Sequence, residues 1–118
     1  MSKEELKFAE GCLFCNIAKG AVHTNFVFES PEVMAFNDIN PKAPVHILIL
    51  PKSHIPSVRE MTDADAAILG QMFIVARNIA KERDLESFKL ALNVGRGAGQ
   101  IVPHLHLHLL SGVGMQMP

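Results

Sequence analysis

The chain has 118 residues, of which 48% are hydrophobic, and a formal net charge of −1 at pH 7. That length fits one domain with enough apolar material for a core. A charge so near zero argues against a surface that coats nucleic acid, and no apolar run reaches the length of a membrane span.

Residues 1–10 read as a polar lead-in, and residues 11–118 as a single domain. The start, Ser2-Lys3-Glu4-Glu5-Leu6-Lys7, lacks the apolar stretch of a signal peptide, so the expected compartment is the cytoplasm. The two cysteines, Cys12 and Cys15, then point to metal or redox chemistry more than to a structural disulfide. Leu13 to Lys19 fits a short helix stopped by Gly20. An isolated Cys-x-x-Cys pair leaves three readings open. It is half of a zinc site, which needs four ligands; or two free thiols in a helix; or a redox pair without thioredoxin-like surroundings. His23 matches no motif and reads as a surface residue.

Asn25 to Glu29 and Val33 to Asn37 read as strands joined by a turn at Ser30-Pro31-Glu32. Asn40-Pro41-Lys42-Ala43-Pro44 breaks the chain. Val45 to Leu50 is apolar on both faces apart from His46, as in a central strand that Pro51 ends. A long helix begins near Thr62, where Thr62 and Asp65 resemble a capping box. Leu69, Met72, Phe73, Ala76, Ile79 and Ala80 follow i, i+3, i+4 spacing and predict one buried stripe. Phe88 to Val94 is a further strand, Gly95 to Gly99 a loop, and His104 to Leu110 the last strand. The sum is an α+β domain: a mainly antiparallel sheet of about five strands, one long helix and a short N-terminal helix.

In Pro103-His104-Leu105-His106-Leu107-His108-Leu109, three histidines alternate with three leucines. Strand side chains alternate between faces, so all three imidazoles share one face and the leucines fill the other. At a rise of roughly 3.3 Å per residue, His104 and His108 stand about 13 Å apart along the strand. Ligands of one zinc lie about 2 Å from it, so at most two neighbouring histidines of this row can share an ion. The plainer reading, three satisfied polar residues on a half-buried strand, leaves their common register unexplained. Imidazoles spaced along a surface suit proton movement, because their ordinary pKa lies near neutrality.

Asn93-Val94-Gly95-Arg96-Gly97-Ala98-Gly99-Gln100 leads into that strand. Its glycines permit positive φ, and consecutive N–H groups in such a loop can form an anion nest. It is not a phosphate-binding P-loop, since no Gly-Lys-Ser/Thr follows, nor a dinucleotide fingerprint, since a strand follows instead of a helix. Alone it fits an ordinary hairpin connection; beside three histidines it fits a phosphate site. An imidazole nitrogen can attack phosphorus to give a phosphohistidine, while donors stabilise the charge without a magnesium ion.

His104-Leu105-His106-Leu107-His108-Leu109-Leu110 resembles the histidine-triad motif, His-x-His-x-His-x-x with apolar x. The segments Phe36 to His46, Pro51 to Ile55 and Gly99-Gln100 also resemble blocks of that family, over roughly Cys12 to Gly112. Among its branches the chain is most similar to the Hint-like nucleotide-binding proteins in their bacterial form. The resemblance implies a homodimer whose sheets join. It also implies a purine nucleotide (AMP or GMP) hydrolase that cleaves phosphoramidates, with no magnesium requirement.

By the same resemblance His106 is the nucleophile of a nucleotidyl-histidine intermediate, His108 contacts phosphate and His46 orients the nucleophile. Asn93, Gly99, Gln100 and Ile101 line the phosphate site. Asp38 binds the ribose, with a turn residue as the simpler alternative. Phe36 and Ile39, with Phe14 and Ile17, wall the base or belong to the core. Bacterial relatives supply histidines at the positions of His54 and His104, which with Cys12 and Cys15 would close a structural zinc site. Two features depart from the pattern. Ile101 stands where animal members often carry a hydroxyl residue, and Gly114-Met115-Gln116-Met117-Pro118 lacks the tryptophan of some members. Dinucleoside polyphosphate hydrolysis, as in the fragile-histidine branch, a nucleotide-binding adaptor and a purely zinc-organised module are the competing functions.

Overall fold

The computed structural model describes residues 6–112. Its elements follow in chain order as α1 (Leu13–Ala18), β1 (Phe26–Glu29), β2 (Val33–Asn37), β3 (Val45–Pro51), α2 (Ala66–Glu82), β4 (Lys89–Leu92) and β5 (Leu107–Ser111). The strands form one sheet in the order β1-β2-β3-β5-β4, and every neighbouring pair is antiparallel. The fold is α+β, as the patterning predicts, and β3 is its central strand.

Period-two alternation divides the core into two layers. Val33 and Ala35 of β2, Ile47 and Ile49 of β3, and Leu107 and Leu109 of β5 face α2, packing with Met72, Val75, Ala76 and Ile79. Met34, Phe36, Leu48 and Leu50 belong to the opposite layer, with Cys12, Phe14, Cys15 and Ile17 around α1. The histidines lie on this second side. Leu105, Leu107 and Leu109 are at most 1% exposed in the first layer, so the alternation of leucine and histidine is fulfilled.

The last strand is shorter than the pattern predicts. The ladder starts at Leu107, and His104 to His106 approach it as irregular chain. There Leu105 donates its N–H to the Ile55 carbonyl, 2.6 Å away, instead of joining β3. The lead-in is also partly tied down: Lys7 donates to Ser53 Oγ at 3.0 Å and accepts from the His54 N–H at 2.6 Å.

Two corrections concern α2. The Thr62–Asp65 box forms, with the Asp65 carboxylate accepting the Thr62 N–H at 2.9 Å, but it caps a 3-10 turn, Asp63–Asp65, that precedes the α-helix. Phe73 is not part of the buried stripe. It is 38% exposed, and Val75 takes the inward position. Residues 72, 75, 76, 79 and 80 trace the inward arc, and Phe73 lies one position beyond it.

The chain leaves β5 through Gly112, at φ +125°, beside Pro44 on the loop that leads to β3. A Cβ at Gly112 would come within 2.6 Å of the Pro44 ring. Gly112→Ala combines a disfavoured backbone conformation with overpacking and is expected to lower unfolding stability by about 1–3 kcal/mol. A fall in the urea midpoint at unchanged m-value is the expected observation, and an unshifted midpoint contradicts it.

Candidate functional site

Strand pairing places the histidines. His108 of β5 lies opposite Leu48 of β3, and His46 of β3 opposite Leu110. His46 and His108 are therefore diagonal neighbours on one face, a separation that long side chains span. His46 Nε2 and His108 Nδ1 meet at 2.9 Å.

Backbone partners assign the tautomers. The Lys42 N–H donates to His46 Nδ1 at 3.0 Å, so the His46 proton sits on Nε2. That Nε2–H donates to His108 Nδ1, with the Asp38 carboxylate 3.4 Å away as a second acceptor. His108 then carries its proton on Nε2, as an outward donor. His106 is set independently: its Nδ1–H donates to the His104 carbonyl at 2.7 Å. This leaves the lone pair on His106 Nε2, in a ring held edge-on by Phe14 at 5.3 Å and by His108 at 4.9 Å between centroids.

Burial favours the neutral form of the His46 and His108 rings. It pushes His108 down to about 4, and the neighbouring His106 and His46 add to the effect. His46 is lowered by burial, against the pull of Asp38. A neutral ring pair donating a proton outward beside an unprotonated ring nitrogen can hold a phosphoryl oxygen while the nitrogen attacks.

A second cluster adjoins the first. The donor atoms of Cys12, Cys15, His54 and His104 lie within 4.8 Å of one another. His104 Nδ1 is 3.4 Å from Cys12 Sγ, 3.5 Å from Cys15 Sγ and 3.3 Å from His54 Nδ1, and Cys15 Sγ is 3.3 Å from His54 Nδ1. Tetrahedral coordination by nitrogen and sulfur at about 2.0–2.3 Å requires donor separations of about 3.3–3.8 Å. His104 donates its Nε2–H to the Pro51 carbonyl at 2.8 Å, which leaves Nδ1 free to ligate. The Ala9 and Cys15 N–H groups point at the Cys15 and Cys12 sulfurs. Without a cation, burial pushes the Cys15 thiol up to about 11, and Cys12 beside it adds to that. The four residues thus form a group able to hold a metal ion.

Asp38, His46 and His108 also bring three donor atoms together. Ligation through His46 Nε2 would require a proton on Nδ1, facing the Lys42 N–H donor. The same backbone amide that builds the hydrogen-bonded pair thereby opposes a metal there.

The remaining sequence candidates divide. His46 pairs with His108 and does not bond directly to His106. One oxygen of Asp38 accepts the Asn40 N–H at 2.8 Å, as in an Asx turn, and the other approaches His46. Phe36, Phe14 and Ile17 are buried, whereas Ile39 and Ile101 are 91% and 82% exposed. Gln100 is buried and its amide is spent on the loop: Oε1 accepts from Gly95, and Nε2 donates to the Pro56 and Val102 carbonyls. Asn93 braces the same loop through the Ala98 carbonyl. The N–H groups of Ala98, Gly99 and Gln100 close the turn on Gly95 and Arg96, so these three do not make the expected anion nest. His23 is exposed, as expected. Residues 114–118, with the missing tryptophan, lie outside the described residues.

Sequence reasoning missed the Lys42 amide and the Pro51 and His104 carbonyls, which set three tautomers. Backbone groups carry no residue signature, so no motif could have shown them.

Known proteins place this geometry in a class. A family model described as "Scavenger mRNA decapping enzyme C-term binding" matches residues 11–117. The HIT family hydrolase from Legionella pneumophila Philadelphia 1 superposes with a TM-score of 0.87 at 43% identity, covering 92% of this chain and 98% of that one. The chain belongs to the histidine-triad (HIT) family, and its relatives include hydrolases. Among the curated relatives are Protein HitA of Neisseria gonorrhoeae and the purine nucleoside phosphoramidase of Escherichia coli K12. The first is 39% identical over 86% of this chain and 95% of its own. The second is 38% identical, over 88% and 89%.

Stability depends on pH through the buried neutral rings. His104 and His108 drop from an ordinary 6.5 to about 4 in the fold. Between those values the unfolded chain binds protons that the folded chain refuses, so stability falls on acidification from 6.5 towards 4. Urea midpoints measured across that window should decline steadily, with a shallower decline in His108→Gln.

Proposed function

We propose that this protein hydrolyses purine nucleoside phosphoramidates, with AMP- or GMP-amine conjugates as substrates. One observation carries the reading: His106 offers an unprotonated Nε2, because its Nδ1–H is committed to the His104 carbonyl. His106 Nε2 attacks phosphorus, the P–N bond breaks, and the amine leaves with a proton taken from solvent, which the hydrolytic water of the next step returns. Water then cleaves the nucleotidyl-histidine and frees Nε2. His108 Nε2–H holds a non-bridging oxygen, and His46 keeps His108 in that tautomer. In this reading Phe36 and Ile39 wall the base, and Asp38 takes the ribose. Ile101 supplies only a backbone N–H to the phosphate, and Asn93, Gly99 and Gln100 shape the loop that presents it. No step uses magnesium. The name of the Escherichia coli relative supports the phosphoramidate over a dinucleoside polyphosphate.

Zinc is the ion we assign to Cys12, Cys15, His54 and His104, on the donor set and its tetrahedral spacing. All four positions are filled by the chain, so the ion would be structural. The second partner is another copy of this chain. β4 is an edge strand, and Phe73 and Ile74 leave apolar surface on α2. No described helix is long and apolar enough to cross a membrane, and the working location is the cytoplasm.

AMP release from an adenosine phosphoramidate, without added magnesium, tests the chemistry. Wild type should turn over, and His106→Ala should lose about three orders of magnitude or more. Comparable rates in the two proteins would end the proposal, and a diadenosine polyphosphate cleaved faster by wild type would redirect it. Stripping the ion with a strong chelator should lower the Tm by on the order of 10 °C, reversed by Zn2+. Freshly purified protein without zinc, with both thiols reactive, would contradict the assignment.

A further inference from the structure

The two histidine clusters share a backbone. His104 points its ring Nδ1 into the Cys12/Cys15/His54 group and its carbonyl at His106 Nδ1, 2.7 Å away. His104 to His106 precede the β5 ladder, which begins at Leu107. The carbonyl that fixes His106 therefore lies outside regular sheet pairing. Its segment is held by the Leu105 N–H on Ile55 and by the His104 ring, anchored on Pro51 and on the cysteine side. Phe14 adds a second link. It sits one residue before Cys15 on α1, is 6% exposed, and packs edge-on against His104 at 5.8 Å and His106 at 5.3 Å.

We propose that the Cys12/Cys15/His54/His104 group positions the nucleophile: a metal held there fixes the His104 main chain and the Phe14 ring, which together set the tautomer and aim of His106. The group is then more than a fold staple. Loading with metal holds the His104 carbonyl against His106 Nδ1, so that Nε2 stays pointed at phosphorus. Losing the metal leaves the His104 ring anchored on Pro51 alone, loosens the carbonyl and admits the other tautomer. Phe14 and His104 are positioning residues in this account; neither touches the reacting atoms.

The proposal rests on the phosphoramidase reading, and its test separates the two. Wild type loaded with Zn2+, the same protein stripped of it, and Zn2+-loaded Phe14→Leu are compared by kcat, KM and histidine 15N NMR. The His106 signals are assigned by their loss in His106→Ala. Loaded wild type should show His106 protonated at Nδ1 alone. The stripped protein should show mixed tautomers, with kcat down by about tenfold to a hundredfold and KM within about threefold. Phe14→Leu keeps all four ligands and should lower kcat by about tenfold with the same small change in KM. It carries the kinetic test if stripping unfolds the chain.

An unchanged kcat together with an unchanged His106 tautomer after stripping overturns the proposal. So does a Phe14→Leu variant in which KM rises while kcat holds, because Phe14 then serves only as a wall of the base pocket. If loaded wild type releases no AMP at all, the phosphoramidase reading has failed on its own. The 15N comparison of loaded and stripped protein still decides whether the metal group governs His106.

Discussion

Imidazoles can line the inner side of a buried strand only if each inward ring nitrogen has a partner of fixed polarity. An unpaired polar atom there would cost about 1–3 kcal/mol, a large part of the stability of so small a domain. The partners are mostly main-chain groups, which cannot change their sense: the Pro51 and His104 carbonyls accept, and the Lys42 amide donates. Satisfying the core and assigning the protons are thus the same event. The described residues leave no buried side-chain nitrogen or oxygen without a hydrogen bond.

The same side-chain chemistry yields two different sites for that reason. At His104 an accepting carbonyl takes the Nε2 proton and turns Nδ1 into a ligand beside two sulfurs. At His46 a donating amide takes the Nδ1 lone pair and turns Nε2 into a donor toward His108. One cluster collects lone pairs, which suits a cation. The other passes a hydrogen-bond donor outward, which suits a phosphoryl oxygen. Sequence separation does not distinguish them, since both draw on the segment from His104 to His108 and on β3 or the chain just after it.

Much of this was legible in the residues. Alternation in His104 to Leu109 gave the two faces, and apolar character on both sides of Val45 to Leu50 marked the central strand. The spacing estimate kept His104 and His108 in separate sites, as the folded chain does. What escaped depends on phase and on backbone. Phe73 lies just outside the inward arc of α2, a difference of one helical position that hydrophobicity cannot resolve. The start of the β5 ladder depends on Ile55 capturing the Leu105 N–H, a contact with no local trace. Gln100 looks like a phosphate ligand by type, yet its amide is consumed by Gly95, Pro56 and Val102. The polarity of each histidine partner was invisible because it belongs to peptide groups.

The partition of residues 104–109, leucine to one layer and histidine to the other, also governs how the gene can change. A codon gained or lost between residues 104 and 110 would shift the downstream parity by one. Imidazoles would then face α2, and leucines would face the cysteines. Core and histidine clusters would fail together, so no intermediate with altered clusters and intact packing is reachable by that route. Point substitutions remain open to selection there, while length variation is confined to the connecting loops, where parity carries no meaning.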